Sequence, residues 1–448
     1  MRLPPLHKLA VPLLLGLGIA ATLGREMVFA WTLGTGEDLE DFRLAFGLPN
    51  TLAQTLGPAF IGVALPLLAA AALRGPAAYH ALRARLLRFN LIAAATVAAL
   101  GIFAAAPLAA LLAPGYAPWQ LERVAGALRI LWLFFLLAAA SFHLRARLNQ
   151  REVFWPGAAT SLSISLAFII GLPLAVAAGP LDAGGMAWIA VAGGALVLGL
   201  HLTAKPGIAP AELAPEDADP DGEAAPRLFL PMLAAATYQL SAAVPRFLDR
   251  AYATDLAQGS VAALEYSYNV ITAPGILFGT SFVMLSYPAF VRAIAAGHLR
   301  RTTRRLGARF LVLAVAALLV GLLVHAGAAT IVDLLYGRGA FQAAAGSATT
   351  EVLEPQALGL APMVAAMVLA QGLLGLGALR LLLLLSAARI LIRWSLLESM
   401  MPHAGLSGLG DAYFWTECGG LALAAILFAW RLRARLVAEP GTDGNPAA

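Results

Sequence analysis

Of the 448 residues, 60% are hydrophobic and only 12% are charged, about half the charged share of an average soluble domain. With a mean hydropathy of +0.80, this excludes a soluble globular enzyme, a disordered chain and a disulfide-built secreted scaffold, because a soluble chain of this length needs far more polar surface over its core. The lone cysteine, Cys418, has no intramolecular partner, and the net charge of +5 would suit nucleic acid only if the basic residues clustered for it.

The class is a polytopic α-helical membrane protein. A spanning helix needs about 20 mostly apolar residues. Twelve segments qualify: 9–33, 42–73, 89–112, 127–142, 154–177, 184–202, 228–248, 261–290, 310–335, 355–375, 379–397 and 412–430. Prolines interrupt the second (Pro49, Pro58, Pro66) and the eighth (Pro274, Pro288), which a helix bundle tolerates when the freed backbone groups find partners or line a cavity. The first span follows Arg2 and Lys8 as a secretory signal does, but it continues past Arg25 to Leu33 and no A-x-A site follows. Glu37, Asp38, Glu40 and Asp41 predict an acidic loop after it. The stretch 205–227, rich in proline and acids and without apolar periodicity, predicts a linker between an N-terminal lobe, 1–204, and a C-terminal lobe, 228–436. Residues 437–448 read as a disordered tail.

Alternate loops differ in charge. One set carries 21 of the 30 lysines and arginines, including Arg83, Arg85, Arg88, Arg145, Arg147 and the run from Arg292 to Arg309; the opposite set carries Arg123, Arg250 and Arg338. The positive-inside rule then places both termini in the cytoplasm, and the basic residues orient a membrane chain rather than serve nucleic acid.

Ionisable residues inside spans are costly and mark a cavity or pathway, unless they snorkel or pair structurally. Arg25 and Glu26 lie in the first span. Sequence neighbours point about 100° apart on a helix, so no simple pair is expected between them. Arg25 has two readings, a cavity cation for a phosphate, which a planar guanidinium holds with two parallel hydrogen bonds, or a structural charge. Arg246 carries the same two readings, with Asp249 three residues on. Arg43, Asn50 and Gln54 lie on the second span; Tyr238, Gln239, Glu265 and Asn269 are the polar counterpart in the second half. These either bind sugar hydroxyls or hold helices together. Arg389 and Arg393 face one way on the eleventh span, where Glu417 or a lipid headgroup would partner them. No His-Glu-x-x-His, Cys-x-x-Cys or Walker loop is present, so neither an enzyme, a metal site nor a cofactor is expected. Gly372-x-x-Gly375-x-Gly377 reads as close helix packing.

Two signals recur in the same order in both halves. Gly57-x-x-Phe60-x5-Pro66 follows Arg25, and Gly279-x-x-Phe282-x5-Pro288 follows Arg246; after each third span come Leu111-Leu112-Ala113-Pro114-Gly115-Tyr116 and Leu334-Leu335-Tyr336-Gly337-Arg338-Gly339-Ala340-Phe341. With six spans per half the repeat is parallel, its pseudo-two-fold axis along the membrane normal.

The block from Gly24 to Gly36, then Asp41-Phe42-Arg43-Leu44-Ala45-Phe46-Gly47-Leu48-Pro49-Asn50, together with Tyr336–Phe341 and His403-Ala404-Gly405-Leu406, resembles the MurJ/MviN family of the MOP flippase superfamily, over nearly the whole chain. The resemblance implies two six-helix lobes around a central cavity in a bacterial inner membrane. It also implies flipping of an undecaprenyl-pyrophosphate-linked sugar, lipid II or an exopolysaccharide or O-antigen-type precursor, with membrane lipids and envelope-synthesis proteins as partners. Arg25 matches a cavity arginine of the family. The chain departs from the pattern at Thr51, Leu52, Ala53 and Gln54, where basic residues usually stand, at Asn269 in place of an arginine, and in ending after the twelfth span, before two helices the family usually adds. A MATE-like exporter of amphipathic cations and a transport-inactive scaffold for envelope synthesis are the competing readings. The exporter predicts a cavity in which acids outnumber arginines.

Overall fold

The computed structural model describes residues 5–205, 224–295 and 299–438. Among these the elements are helices: α1 (Pro5–Leu33), α2 (Glu37–Leu73), α3 (Pro76–Phe103), α4 (Ala105–Leu112), α5 (Pro118–Gln150), α6 (Trp155–Ala158), α7 (Thr160–Ala178), α8 (Ala183–Thr203), α9 (Ala224–Ala253), α10 (Ser260–Ala295), α11 (Leu299–Ala326), α12 (Ala328–Tyr336), α13 (Ala343–Leu358), α14 (Leu360–Gly375), α15 (Leu379–Ala404) and α16 (Leu406–Ala438).

Among the described residues, eight helices are long and apolar enough to cross a membrane, and nine if α13 and α14, bent by 49° at their junction, count as one span. Helices α9, α10 and α15, of 30, 36 and 26 residues, also exceed the roughly 20 residues that cross about 30 Å of hydrocarbon. The flanks of the helices are apolar and open, as at Phe103, Leu323 and Ile426, a surface that suits lipid and not water. Exposed Trp31, Trp119 and Trp188 sit within two turns of helix ends, where an indole suits the membrane–water boundary.

Prolines set two of the breaks. Pro107 cannot donate to the carbonyl of Phe103, and α3 stops there, with α4 starting after Ala104; Pro362 ends α13 at Leu358 in the same way. The third span of each half is followed, after one residue, by a short helix: α4 of 8 residues after α3, and α12 of 9 after α11. The sequence repeat thus has a counterpart in local structure.

Three expected boundaries move. The acids Glu37, Asp38 and Glu40 are not a loop but the first turn of α2, where the positive end of the helix dipole favours them. The α1–α2 connection shrinks to Gly34–Gly36. Arg123 and Arg250, read as loop residues, lie on α5 and α9. Most of the 205–227 stretch and of the 437–448 tail lies outside the described residues.

The chain divides into two compact units, Met1–Ala263 with Asp333–Gly346, and Leu264–Val332 with Ser347–Ala448. In the first, α5 packs against α2 and α8, and α1 against α7; in the second, α16 packs against α14 and α15. The repeated glycines act as sockets in both. A methyl added at Gly57 would lie 2.6 Å from the Phe142 ring, and one at Gly279 would overlap the Met367 methyl. Gly372 likewise receives Phe428, as close packing requires. Gly57→Val is therefore expected to cost about 1–3 kcal/mol by overpacking, read as a lower unfolding midpoint in detergent. An unchanged midpoint would show that Phe142 can swing aside.

Candidate functional site

The first unit concentrates its buried charge on α1 and α2. Arg25 donates through Nε and Nη2 to Oε1 of Glu26, at 3.0 and 2.7 Å. Arg43 donates through Nη2 to Oε2 of the same carboxylate at 3.0 Å. The expectation that Arg25 and Glu26 would not pair is thus corrected. Their Cβ atoms diverge, but the long arginine stem folds back far enough to close both bonds. One carboxylate, with 5% of its side chain exposed, is shared by two guanidiniums, leaving a net positive charge.

Rings form the floor of this group. Phe29, Phe42, Phe46, Phe134 and Phe168 bring together α1, α2, α5 and α7, with centroids 5.2–6.4 Å apart. The Arg25 guanidinium lies 5.9 Å from the Phe168 centroid and that of Arg43 lies 5.7 Å from Phe29, each favourable through the ring quadrupole. Apolar walls also keep water from screening the three charges.

Positions 43, 47, 50 and 54 follow the i, i+4, i+7, i+11 spacing of one helix face. Arg43 is buried, while Asn50 and Gln54 are more open, and Gln54 Nε2 donates to Asn50 Oδ1 at 3.2 Å. At Gly47 an added methyl would overlap Nη1 of Arg250, whose Cζ would be 3.1 Å away. Arg250 reaches this place from α9 and lies 5.6 Å from the Phe247 centroid. Sequence reading missed this residue; the signal for it was a glycine at the second position of the polar stripe. Arg246 is half-buried one turn earlier on the same face of α9. Tyr238 and Gln239 also lie on α9, and their side chains fall outside the described residues.

The Glu37 end of α2 is heavily tied. Arg123 holds Glu37 at 3.4 Å, Asp38 at 2.6 Å and Asp41 at 2.7 Å. Glu40 accepts the backbone N–H groups of Gly259 and Ala262, both at 3.0 Å, and so satisfies donors that the first turn of α10 leaves open. The Gly115 N–H donates to Thr254 Oγ1 at 3.0 Å. The Ala340 N–H donates to the Trp31 carbonyl at 2.9 Å, where Gly34 and Gly339, both at positive φ (60° and 65°), face the opposing chain. The two most distinctive sequence blocks therefore meet.

In the second unit Glu265 is buried on α10, and Asn269 turns its amide back to the Glu265 carbonyl at 2.8 Å, bonding its own helix. Arg389 pairs with Glu417, the expected partner. Arg393 is buried, donates to the Tyr268 hydroxyl at 3.2 Å and lies 5.4 Å from the Tyr413 centroid. The two tyrosines were not foreseen.

Solved structures share the fold of this multi-pass bundle. An inward-closed lipid II flippase MurJ superposes with a TM-score of 0.74 at 15% identity, covering 97% of this chain and 90% of that one. An inward-facing MATE multidrug-resistance transporter gives 0.72 at 16%, covering 95% and 96%. A MOP-superfamily transporter from Pyrococcus furiosus, described as having a binding pocket of reverse polarity, gives 0.65 at 17%, covering 97% and 96%. The fold is that of the MOP superfamily. No curated protein matches the sequence. The family model described as lipid II flippase MurJ matches residues 29–440, and the chain belongs to that family of multi-pass membrane transporters.

Proposed function

We propose that the protein flips an undecaprenyl-pyrophosphate-linked sugar, lipid II or an exopolysaccharide or O-antigen-type precursor, across a bacterial inner membrane. The lobes 1–204 and 228–436 would alternate access to a central cavity, with both termini cytoplasmic. The observation that carries the reading is the Arg25–Glu26–Arg43 group. Two guanidiniums share one carboxylate, so the group keeps a surplus positive charge in an apolar setting, where an anion is worth far more than in water. That sign favours a phosphate cargo over the amphipathic cation of an exporter. Arg25 turns Nε and Nη2 to Glu26, and an arginine has five N–H donors in all.

The test is binding of the lipid-linked pyrophosphate sugar to purified protein, followed by native mass spectrometry. Arg25→Ala is expected to keep a folded yield near that of the parent, because Glu26 retains Arg43. It should weaken binding by roughly 10-fold or more, the scale of one lost charge-assisted contact. Arg25→Lys should recover little, since an ammonium lacks the planar fork. Binding that is unchanged in Arg25→Ala defeats the reading.

A further inference from the structure

We propose that the start of α3 and the end of α5 form a site for a phosphoryl anion, with Arg83 and Arg147 as its cations and Tyr79, His143 and Gln150 as its buried hydrogen-bonding groups. It does not depend on which cargo the protein carries. Tyr79 packs on Leu68 and Ala72 near the C-terminal end of α2, whereas Arg43 lies near the N-terminal end of that helix, so the Arg25–Glu26–Arg43 group is far away.

Two contacts fix how α3 and α5 run past each other. Asn90 Nδ2 donates to the Ala139 carbonyl at 2.7 Å, and Gly101 seats the Trp132 ring. Residue numbers rise on one helix as they fall on the other, so the pair is antiparallel. Counting seven residues back from Asn90 and seven on from Ala139 brings Arg83 level with Ala146 and its neighbour Arg147; eleven each way brings Tyr79 level with Gln150. The faces agree. On α3, positions 79, 83, 90 and 101 share one face, and on α5 so do 132, 139, 143, 147 and 150. Arg83 and Arg147 are half-buried there, while Arg85 and Arg88 on α3 are exposed. The charges of Arg83 and Arg147 both act on the His143 ring, and those of Arg83 and Arg151 act on Arg147, with Tyr79 beside it.

Among the described residues no carboxylate pairs with Arg83, Arg147 or Arg151, and the adjacent Glu152 is exposed. The buried polar atoms of the group are unanswered as well. Both ring nitrogens of His143, both amide atoms of Gln150, the Tyr79 hydroxyl and Nε of Arg147 have no hydrogen-bond partner, with His143 1%, Tyr79 4% and Gln150 7% exposed. Polar groups closed from solvent and left unbonded oppose folding, and like charges near one another add to that. A phosphoryl group answers both. Its oxygens accept from the two guanidinium forks, the phenol, the amide and the imidazole N–H, and its negative charge offsets the cations. A phospholipid headgroup and free phosphate both carry that group.

The experiment takes the full chain in a maltoside detergent, which has no phosphate of its own. One arm titrates inorganic phosphate at constant ionic strength and the other adds phosphatidylglycerol. Unfolding midpoints give the affinity, since a ligand of the folded state raises them, and native mass spectrometry gives the stoichiometry. The parent should bind one ligand per chain: a response to phosphatidylglycerol alone assigns a lipid headgroup, and a response to phosphate assigns a free anion. Arg83→Gln and Arg147→Gln should each lose roughly 10- to 100-fold in affinity, and Tyr79→Phe roughly 10-fold. Arg85→Gln and Arg88→Gln remove the same charge from exposed positions and should change affinity by less than about 3-fold. Without ligand, the three site variants should unfold at or above the parental midpoint, because each removes an unbalanced cation or an unbonded hydroxyl. Lower midpoints, or a failure to fold, would make these side chains structural and overturn the site. Equal losses at 83, 85, 88 and 147 would reduce it to general surface charge and overturn it too, as would a parent that responds to neither ligand.

Discussion

Replacing Glu26 by glutamine is expected to lower stability by about 3–5 kcal/mol, the scale for removing one member of a buried charge group. Glu26 is the carboxylate that both Arg25 and Arg43 bond, and its side chain is nearly closed to solvent. Its loss leaves two cations facing each other over phenylalanine rings, with a neutral amide that can accept from one of them at a time. Aspartate, which keeps the charge but shortens the reach, should cost less. Unfolding midpoints of detergent-solubilised protein check both variants. Parental stability in Glu26→Gln would mean that water or lipid reaches the arginines, and that the aromatic floor does not exclude solvent. The asymmetry with Arg25→Ala is informative, since one mutation strands two cations and the other leaves a balanced pair.

A comparable loss is expected from Gly34→Ala or Gly339→Ala. Both residues have positive φ, which costs an L-residue roughly 1–2 kcal/mol. The added methyl at Gly34 would also overlap the Ala340 carbonyl oxygen, and at Gly339 it would overlap the Trp31 carbonyl and indole. A backbone atom cannot rotate away as a side chain can, so overpacking adds about 1–3 kcal/mol, and the Trp31–Ala340 hydrogen bond is stretched. Gly36→Ala is the control: its φ is −69° and its added methyl would meet only the Leu33 oxygen within its own turn, at 3.3 Å. Equal midpoints for the Gly34 and Gly36 variants would show that the contact adds nothing to stability.

Much of the fold was legible because membrane spans announce themselves by length and apolarity. Segments such as 261–290 and 379–397 keep that signal even though they carry Glu265, or Arg389 and Arg393. The family was legible from the Gly24–Asn50 block. What could not be read was who meets whom. Residues 25 and 26 seemed unable to pair because helical geometry constrains Cβ directions and says little about the end of a four-bond side chain. Arg250 looked like a loop residue because the polar run around it masks the last turn of α9. In that turn Arg250 lies against Gly47 of α2, and just beyond it Thr254 accepts the Gly115 N–H. The acids at 37–41 were read as a loop for the same reason, although the start of a helix is where carboxylates are most at home. The pairing of Arg389 with Glu417 was within reach because both lie in adjacent apolar helices with few alternatives.

The Trp31–Ala340 contact also bears on the order in which the molecule is made. Its partners are 309 residues apart in sequence, and the closure of so long a loop contributes nothing until both ends exist. A chain emerging from the ribosome, at about 5–20 residues each second, has made α1 through α8 well before Gly339 appears. The early helices must therefore settle in the membrane with the Trp31 edge uncovered, relying on the α1–α7 and α2–α5–α8 packing and on the arginine–glutamate group to stay together. The segment around Gly339 then acts as a clasp added to an assembly already standing. Ribosome-stalled chains ending before residue 333 offer a way to see that earlier assembly by itself.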